Sequence, residues 1–116
     1  MHILVVDDDA LAAEMLAAIL EDQEHQVVQA SDALAAMEAL NQQPEIELII
    51  SDLQMPLMNG IELFRELRDQ GSTRPFILLS GDEPEALHAQ EPGLSACLIK
   101  DFALETSLPP LLARLG

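Results

Sequence analysis

The side chains best suited to chemistry in this sequence belong to five residues, each at or near the end of a short apolar run. They are Asp7, Asp8, Asp52, Ser80 and Lys100. Crowded carboxylates repel one another and need a nearby cation to stay ionised. Mg²⁺ takes a few carboxylate oxygens, keeps several waters and binds readily where a phosphate completes its shell. The acidic residues therefore predict a magnesium site if the fold brings them together.

The same residues also suit phosphoryl transfer. A carboxylate such as Asp52 can act as a nucleophile and form an aspartyl phosphate. A metal ion and the ammonium of Lys100 would offset the charge on the transferring group. The Ser80 hydroxyl could donate to the oxygens of that group, and the small Gly81 leaves room for it. Lys100 is the only lysine of the chain and falls where such a site needs a cation, which favours this hypothesis.

Each of these residues also has a simpler interpretation when it is taken alone. The acidic run from Asp7 to Asp9 could be a helix cap and a solvated surface. Asp52 could be a turn residue, and Lys100 a charge at the end of a strand. We interpret Asp9 as a cap only. The histidines have no convergent partners in the sequence, and we interpret all of them as surface residues. They are His2, His25 and His88.

Short apolar runs alternate with helical patterns along the whole chain, which indicates an α/β fold. Near-continuous Val, Ile and Leu is typical of strands buried on both faces of a parallel sheet. The five predicted strands span residues 3–6, 26–29, 46–50, 76–79 and 96–99. A (βα)₅ order implies right-handed crossovers and a doubly wound, five-stranded parallel sheet. Ligands of such sheets bind outside the carboxyl ends of the strands, where the candidate residues fall.

Helix signals lie between these strands. The apolar stripe predicted for the first helix consists of Leu11, Met15, Leu16, Ile19 and Leu20. The predicted amino-terminal caps of the first, second, third and fifth helices are Asp9, Ser31, Asn59 and Ser107. Pro84 suits the first turn of a short fourth helix. A cap at Ser107 would place Pro109 and Pro110 in a first turn, where their missing N–H groups cost little.

The composition favours one soluble, cytoplasmic domain over residues 1–116. Apolar residues make up 49% of the chain, which is enough for one core at this length. No apolar run approaches the ~20 residues of a membrane-spanning helix. The net charge of −16 repels phosphate backbones and anionic lipids, so we expect no direct binding to nucleic acid or membranes. The single Cys97 cannot form an internal disulfide, which agrees with a reducing compartment.

Four segments resemble the receiver domain of two-component response regulators, and the similarity extends from residue 3 to residue 115. The segments are ILVVDDD at 3–9, LIISDLQMPLMNGIEL at 48–63, FILLSG at 76–81 and LIKDF at 98–102. The resemblance implies a flavodoxin-like receiver fold with the strand order 2-1-3-4-5. It also implies a signalling domain rather than an enzyme, in which phosphorylation and dephosphorylation are at most self-catalysed.

By this resemblance, Asp52 is the phosphoacceptor, Ser80 the switch hydroxyl and Lys100 the phosphate-pairing lysine. The implied Mg²⁺ ligands are Asp7, Asp8, Asp52 and the backbone carbonyl of Gln54. Gln54 and Asp82 occupy positions that in this family flank the phosphoryl group and tune its hydrolysis. The implied partners are a sensor histidine kinase or a histidine phosphotransfer protein as donor, and a downstream protein or effector domain as receiver of the signal.

Three departures from the family pattern concern the output face rather than the site. Asp101 replaces a proline that usually follows the lysine through a cis peptide. A cis bond before a non-proline residue costs about 3 kcal/mol, so we expect the Lys100–Asp101 peptide to be trans. Cys97 replaces the aromatic switch residue, and Phe102 lies on the wrong side of the lysine to substitute for it. The span from Ser80 to the lysine is also slightly shorter than usual, which trims the fourth helix.

Two other functions stay open from the sequence. A pseudo-receiver would keep the fold but act as a phosphorylation-independent protein-binding module. Cys97 and Asp101 favour that function, whereas the intact site residues argue against it. A haloacid-dehalogenase-like phosphatase is suggested by Asp7 and Asp9, which lie two apart after a strand. However, Leu11 stands where that family has Thr or Val, and the chain has no room for a substrate-selecting cap domain.

Overall fold

The computed structural model describes residues 1–81, 83–101 and 104–115, and within these ranges five strands alternate with five helices. The strands are β1 (His2–Val6), β2 (Gln26–Ala30), β3 (Leu48–Asp52), β4 (Phe76–Ser80) and β5 (Ala96–Ile99). The helices are α1 (Ala10–Glu21), α2 (Ala33–Gln42), α3 (Gly60–Asp69), α4 (Pro84–Gln90) and α5 (Leu104–Leu115). None of these described helices combines the length and the apolarity needed to cross a membrane. Asp82 and Phe102, which the sequence places near the site, lie outside the described residues.

The sheet is parallel throughout, with the strand order β2-β1-β3-β4-β5. The predicted doubly wound (βα)₅ architecture and its strand order are confirmed. β1 and β3 are neighbours, with Val6 opposite Ser51. On the other side of β3, Asp52 lies opposite Leu79 of β4. This register aligns the carboxyl ends of the three central strands, so that residues at these ends share one edge of the sheet.

Each face of the sheet has its own apolar core. Along β1, Ile3 and Val5 pack in the core that contains leucines of α1 and α5, whereas Leu4 and Val6 pack in the core that contains residues of α2 and α3. All residues of β3 and β4 are buried, as expected for central strands of a parallel sheet covered on both faces. The carboxyl edge of the sheet is therefore held by a fully packed centre.

The amino ends of α1 and α3 are capped as predicted. The Asp9 carboxylate accepts hydrogen bonds from the N–H groups of Leu11 and Ala12. Asn59 and Glu62 form a capping box, in which each side chain accepts a hydrogen bond from the other residue's backbone N–H at 2.9 Å. Such caps contribute typically about 1 kcal/mol each, and they fix where these two helices begin beside the candidate site.

The starts of α2 and β3 differ from the prediction. α2 is capped by Asp32 rather than Ser31, because the Asp32 carboxylate accepts a hydrogen bond at 2.8 Å from the backbone N–H three residues further on. β3 begins at Leu48 rather than at Ile46. The Ile46 N–H donates instead to the Gln43 carbonyl at 3.2 Å, in the turn that precedes the strand. Ile46 is nevertheless buried, which explains why its sequence environment resembles that of a strand.

The start of α5 also differs from the prediction. The helix begins at Leu104 rather than behind a Ser107 cap, so Pro109 and Pro110 lie inside the helix. The reason is burial of an apolar stripe that starts one turn earlier than expected. The stripe has four buried leucines, namely Leu104, Leu108, Leu111 and Leu112. Of these, Leu104 is the residue that the earlier start adds to the buried face, and burial of a leucine contributes about 1.5–3 kcal/mol.

The buried stripe of α1 is narrower than predicted. Leu16 and Leu20 are buried as expected, and Ala13 and Ala17 complete the face that packs on the sheet. Leu11 and Met15 are 65% and 59% exposed, so their predicted place in the core is wrong. Because the two alanines let the helix approach the sheet closely along the buried face, the residues on the flank of that face turn towards solvent.

Candidate functional site

The candidate residues lie at the carboxyl ends of four parallel strands. Asp7 comes directly after β1, Asp52 is the last residue of β3, and Ser80 is the last residue of β4. Lys100 comes directly after β5, and its backbone N–H donates to the Ser80 carbonyl at 2.8 Å. Since parallel strands end at the same edge of a sheet, the fold brings these residues together from distant parts of the sequence.

Asp7, Asp8 and Asp52 form a cluster in which each side chain offers one oxygen within 4.8 Å of the other two. Asp7 and Asp52 are only 4% and 7% exposed, whereas Asp8 is exposed. The cluster therefore has an inner side, formed by two buried carboxylates, and an open side where water or a phosphate can approach. This donor set fits Mg²⁺, a hard cation that takes a few carboxylates and keeps several waters.

The Lys100 ammonium bridges two of these carboxylates. Its Nζ lies 2.6 Å from Asp7 Oδ2 and 3.3 Å from Asp52 Oδ2. The other oxygen of Asp7, Oδ1, accepts a hydrogen bond from the Asp9 N–H at 2.9 Å. Both carboxylate oxygens of Asp7 are therefore engaged, and the shorter lysine contact is with Asp7. A cation that used Asp7 Oδ2 would have to displace the ammonium.

The ionisable groups of the site affect one another through burial and charge. Burial raises the pKa of Asp52 above that of an ordinary aspartate. The Lys100 charge opposes this shift, the Asp7 charge adds to it, and a hydrogen bond from the backbone of Gln54 opposes it. Burial acts to lower the pKa of Lys100, but its hydrogen bond to Asp7 and the Asp52 and Asp7 charges outweigh burial, so this pKa lies above its ordinary value. An ionised Asp52 is thus incompletely compensated, and a bound cation would stabilise it.

Ser80, Gly81 and Gln54 surround the cluster in different ways. Ser80 is buried at the end of β4, the strand next to that of Asp52. A Cβ atom built on Gly81 would meet no atom within 4 Å, so the chain after Ser80 borders open space. The Gln54 side chain is exposed, and its backbone acts to lower the pKa of the nearby Asp52 carboxylate. The assignment of the Gln54 carbonyl as a metal ligand stays a prediction.

The departures from the family pattern take a definite form. The Lys100–Asp101 peptide is trans, as predicted, since none of the described peptide bonds is cis. The Asp101 N–H donates to the Ile99 carbonyl at 3.0 Å, so the chain turns directly after β5. Cys97 is half-buried and packs against the core on the α2 and α3 face, and burial raises the pKa of its thiol. This position therefore holds a small, packed side chain with no aromatic ring.

The histidines are less exposed than the sequence suggests. His2, His25 and His88 are all half-buried, so their interpretation as surface residues is only partly right. His88 Nε2 lies 2.9 Å from the Leu94 carbonyl oxygen. Burial lowers the pKa of His25. His2 is the first residue of β1, His25 directly precedes β2, and His88 lies in the last turn of α4; the expectation that they have no part in the site still applies.

One residue beside the site has no functional signal in the sequence. The pair Asn59-Gly60 has the composition of a turn, yet Gly60 is the buried first residue of α3. A Cβ atom built on it would lie 2.5 Å from the carbonyl oxygen of Asp52. A single sequence does not separate a glycine that serves a turn from one required by a close approach of two backbones, so this contact emerges only from the structure.

Comparison with known sequences gives a family. The family model of the response regulator receiver domain matches residues 3–108. The transcriptional regulatory protein GlrR of Escherichia coli K12 is 33% identical over 121 residues, which cover 93% of this chain and 27% of GlrR. The two-component response regulator PhoP of Pseudomonas aeruginosa is 34% identical over 119 residues, which cover 98% of this chain and 52% of PhoP. The chain thus spans about a quarter to a half of the length of these relatives.

Solved structures share the fold. A response regulator receiver protein from Pseudomonas putida is 32% identical and has a TM-score of 0.82, with 97% of this chain and 95% of that chain covered. The response regulator protein TrrA from Thermotoga maritima, in complex with Mg²⁺ and BeF, has a TM-score of 0.87 over 99% of this chain and 98% of that chain. At 23% identity, the second likeness supports the fold alone.

Proposed function

The chain belongs to the family of response regulator receiver domains, and from this premise we propose that it accepts a phosphoryl group on the Asp52 carboxylate. One observation carries the proposal. Asp52 is a buried carboxylate at the end of β3, within reach of two further carboxylates and of the only lysine in the chain. Asp7 shares the cluster and the lysine contact, and the resemblance of residues 48–63 to the phosphoacceptor segment of the family selects Asp52 between the two.

The proposed reaction transfers a phosphoryl group from a histidine nitrogen to a carboxylate oxygen. A carboxylate oxygen of Asp52 forms a bond to phosphorus while the phosphorus–nitrogen bond of a donor phosphohistidine breaks. The imidazole nitrogen keeps the electron pair of that bond and takes up a proton. The open side of the cluster, at the exposed Asp8, gives the donor its access. Hydrolysis later returns the Asp52 carboxylate and releases inorganic phosphate.

The roles of the neighbouring residues follow from charge and position. Asp7, Asp8, Asp52 and the Gln54 carbonyl would hold Mg²⁺. The bound cation would supply positive charge that offsets the charge of the transferring group. The Lys100 ammonium would pair with a phosphoryl oxygen, since it already bridges Asp7 and Asp52. The Ser80 hydroxyl would donate to another phosphoryl oxygen, and in this role it reports the phosphorylated state.

The proposed partners are other proteins. The donor would be a sensor histidine kinase or a histidine phosphotransfer protein, and the signal would pass to a downstream protein or effector domain. We propose that residues 1–116 act as one receiver domain within this pathway, in the cytoplasm. With a net charge of −16, the domain repels nucleic acid and anionic membrane surfaces, so its recognition surfaces serve proteins.

The test is phosphorylation by a small donor. We expect incubation with acetyl phosphate and Mg²⁺ to add one phosphate by intact-mass measurement, and chelation of Mg²⁺ to prevent it. Asp52→Asn should abolish labelling, because the amide is not a nucleophile towards phosphorus. Asp69→Asn, at the exposed end of α3, is the matched control and should label like the parent. Full labelling of the Asp52→Asn variant would show that another residue is the acceptor.

A second candidate function is a phosphorylation-independent pseudo-receiver. It is favoured by the half-buried Cys97 and by Asp101 with its trans peptide bond, because both alter the face that usually transmits the signal. If the parent protein takes up no phosphate from acetyl phosphate or from a phosphorylated histidine protein, this second function replaces the first. Sustained hydrolysis of phosphate esters would instead indicate a phosphatase.

A further inference from the structure

Gly60 touches the phosphoacceptor strand more closely than any other amino acid could. It is the buried first residue of α3, and its N–H donates to the Leu53 carbonyl at 3.0 Å. A Cβ atom built on Gly60 would lie 2.5 Å from the Asp52 carbonyl oxygen and 2.7 Å from Leu78 Cδ1. Real Cβ atoms do not approach other atoms so closely, so a side chain at this position would force a neighbour to move.

Glycine is needed at this position because a side chain would have no space, and not because of the backbone conformation. Gly71 is the only described glycine with a left-handed φ, at 92°, and Gly60 has the helical conformation that alanine adopts readily. The two close contacts differ in kind. Leu78 Cδ1 is the end of a flexible side chain and can rotate away. The Asp52 carbonyl belongs to a strand that is paired on both sides.

Neither of the two backbones that meet at this contact can yield easily. The Asp52 carbonyl also accepts a hydrogen bond from the Ser51 hydroxyl at 2.9 Å, and the Leu53 N–H donates to the Leu79 carbonyl at 2.8 Å. α3 is fixed by its capping box and by buried side chains that include Phe64. A methyl group inserted between them would therefore displace the Asp52 peptide together with the carboxylate it carries.

We propose that Gly60 is a positioning residue for Asp52. Its lack of a side chain lets the start of α3 rest directly on the Asp52 peptide, which sets how far the carboxylate projects towards Asp7, Asp8 and Lys100. What that carboxylate does rests on the proposed function. The placement itself is a property of the chain and can be tested without phosphorylation. A displaced carboxylate would fit the shared cation site poorly, because Mg²⁺ demands near-ideal geometry.

The test compares Gly60→Ala with Gly93→Ala. Gly93 is a matched control, since a Cβ atom there would also be crowded, at 3.0 Å from Phe64 Cζ, but against a side chain outside the cluster. We expect Gly60→Ala to weaken Mg²⁺ binding by about 10- to 100-fold, the usual effect of disturbing groups that orient a ligand. Gly93→Ala should keep the parent dissociation constant, and the melting temperatures of both variants are measured alongside. Calorimetric titration with Mg²⁺ gives the constants.

A metal-free measurement makes the inference independent of the cation. Lys100 is the only lysine, and its Nζ lies 3.3 Å from Asp52 Oδ2, so the ¹³Cε signal of labelled lysine reports where this carboxylate stands. In the presence of a chelator, Gly60→Ala should shift that signal, whereas Gly93→Ala should leave it in place. An unchanged lysine signal in Gly60→Ala would overturn the proposal even if Mg²⁺ binding were weaker.

A second variant separates positioning from packing and protects the test against a poorly folded protein. Leu78→Val removes the Cδ1 atom and leaves the contact with Asp52 intact. In the double variant with Gly60→Ala, we expect partial recovery of melting temperature without recovery of Mg²⁺ affinity or of the lysine signal. Recovery of all three would overturn the proposal in favour of a packing role. A parent protein that neither binds Mg²⁺ nor labels would contradict the proposed function, while the lysine signal still decides the role of Gly60.

Discussion

The two halves of the carboxyl edge of the sheet are built differently. In the half that carries Asp52, β3 is buried along its whole length, and α3 has a capping box and five buried residues. In the other half, β5 is half-buried to exposed, and none of the residues of α4, all of them described, is buried. The residue before α4, Glu83, has a left-handed φ of 47° and makes no side-chain cap hydrogen bond. The proposed phosphoacceptor thus lies in the half whose strand and helix are more deeply buried.

The polar contacts that hold the second half are individually weak. Arg65 Nε lies 2.6 Å from Glu91 Oε1, and these side chains are 60% and 20% exposed. His88 Nε2 lies 2.9 Å from the Leu94 carbonyl oxygen. Exposed ion pairs contribute about 0.2–1 kcal/mol each, much less than the burial of the apolar face of α3. On the proposed function, the chemistry falls in the half whose geometry is fixed by packing, whereas the neighbouring half is held by weaker contacts.

The largest expected effect is a difference in stability between matched leucine truncations. Leu63 of α3 is fully buried, and Leu63→Ala should lower the free energy of unfolding by about 2–5 kcal/mol. Leu87 of α4 is half-buried, and Leu87→Ala should cost about 1 kcal/mol. Urea denaturation of both variants measures the two losses. Equal losses would show that α4 is packed as tightly as α3 and would contradict the difference between the two halves.

The sequence predicts the fold and the convergence of the candidate carboxylates and Lys100 well because their signals are local. Strand ends follow from apolar runs, and two caps follow from residue type, as at Asp9 and Asn59. Once the strand order is known, parallel strands must bring Asp7, Asp52 and Lys100 to one edge. Predicting the strand ends and the caps needs no coordinates. Predicting that these residues converge needs only the fold class and its strand order.

The remaining features depend on contacts between distant segments. Leu11 and Met15 have the right spacing for a core stripe, but two alanines on the neighbouring line face the sheet instead. α5 starts early because Leu104 is buried. The preference of Lys100 for Asp7 over Asp52 depends on differences of less than 1 Å between two contacts. The closeness of Gly60 to Asp52 depends on how a helix meets a strand. A single sequence carries none of this information.

The second expected effect is a severalfold change in Mg²⁺ affinity, in the half that carries Asp52. Lys100→Met should tighten Mg²⁺ binding, because the cation no longer has to displace the ammonium that lies 2.6 Å from Asp7 Oδ2. An ion pair worth about 1 kcal/mol corresponds to roughly a fivefold change in the dissociation constant. Arg114→Met removes the same charge at the far end of α5 and controls for net charge. A Lys100→Met protein that binds Mg²⁺ no more tightly than this control would contradict the exchange.

A smaller effect concerns the stability cost of the proposed phosphoacceptor. Burial raises the pKa of Asp52 above its unfolded value of 3.8, so the folded state favours the protonated form. The stability from this group is fully present below pH 3.8 and is lost as the pH rises through the folded pKa. In chelator at neutral pH, Asp52→Asn should therefore raise the melting temperature, by roughly 3–6 °C for each kcal/mol regained. The gain should vanish in acid, and the exposed Asp69→Asn should show none.

The smallest expected effect is the response of the second half to the phosphorylated state. This response tests the difference between the two halves most directly. Beryllofluoride, added as a phosphoryl mimic, should shift the amide signals of residues 52–54, 80–81 and 100, because Ser80 and Lys100 gain new acceptors. Cys97 has no ring to move between two positions, and an equilibrium shifts only by the difference in how its states bind the ligand. The shifts should therefore be small over residues 94–99 and 104–112. Large shifts in these ranges would demonstrate a relay that works without an aromatic side chain.

A Cys97→Tyr variant offers the matched test: if it extends the shifts into α5, the missing ring is what limits the response of the parent.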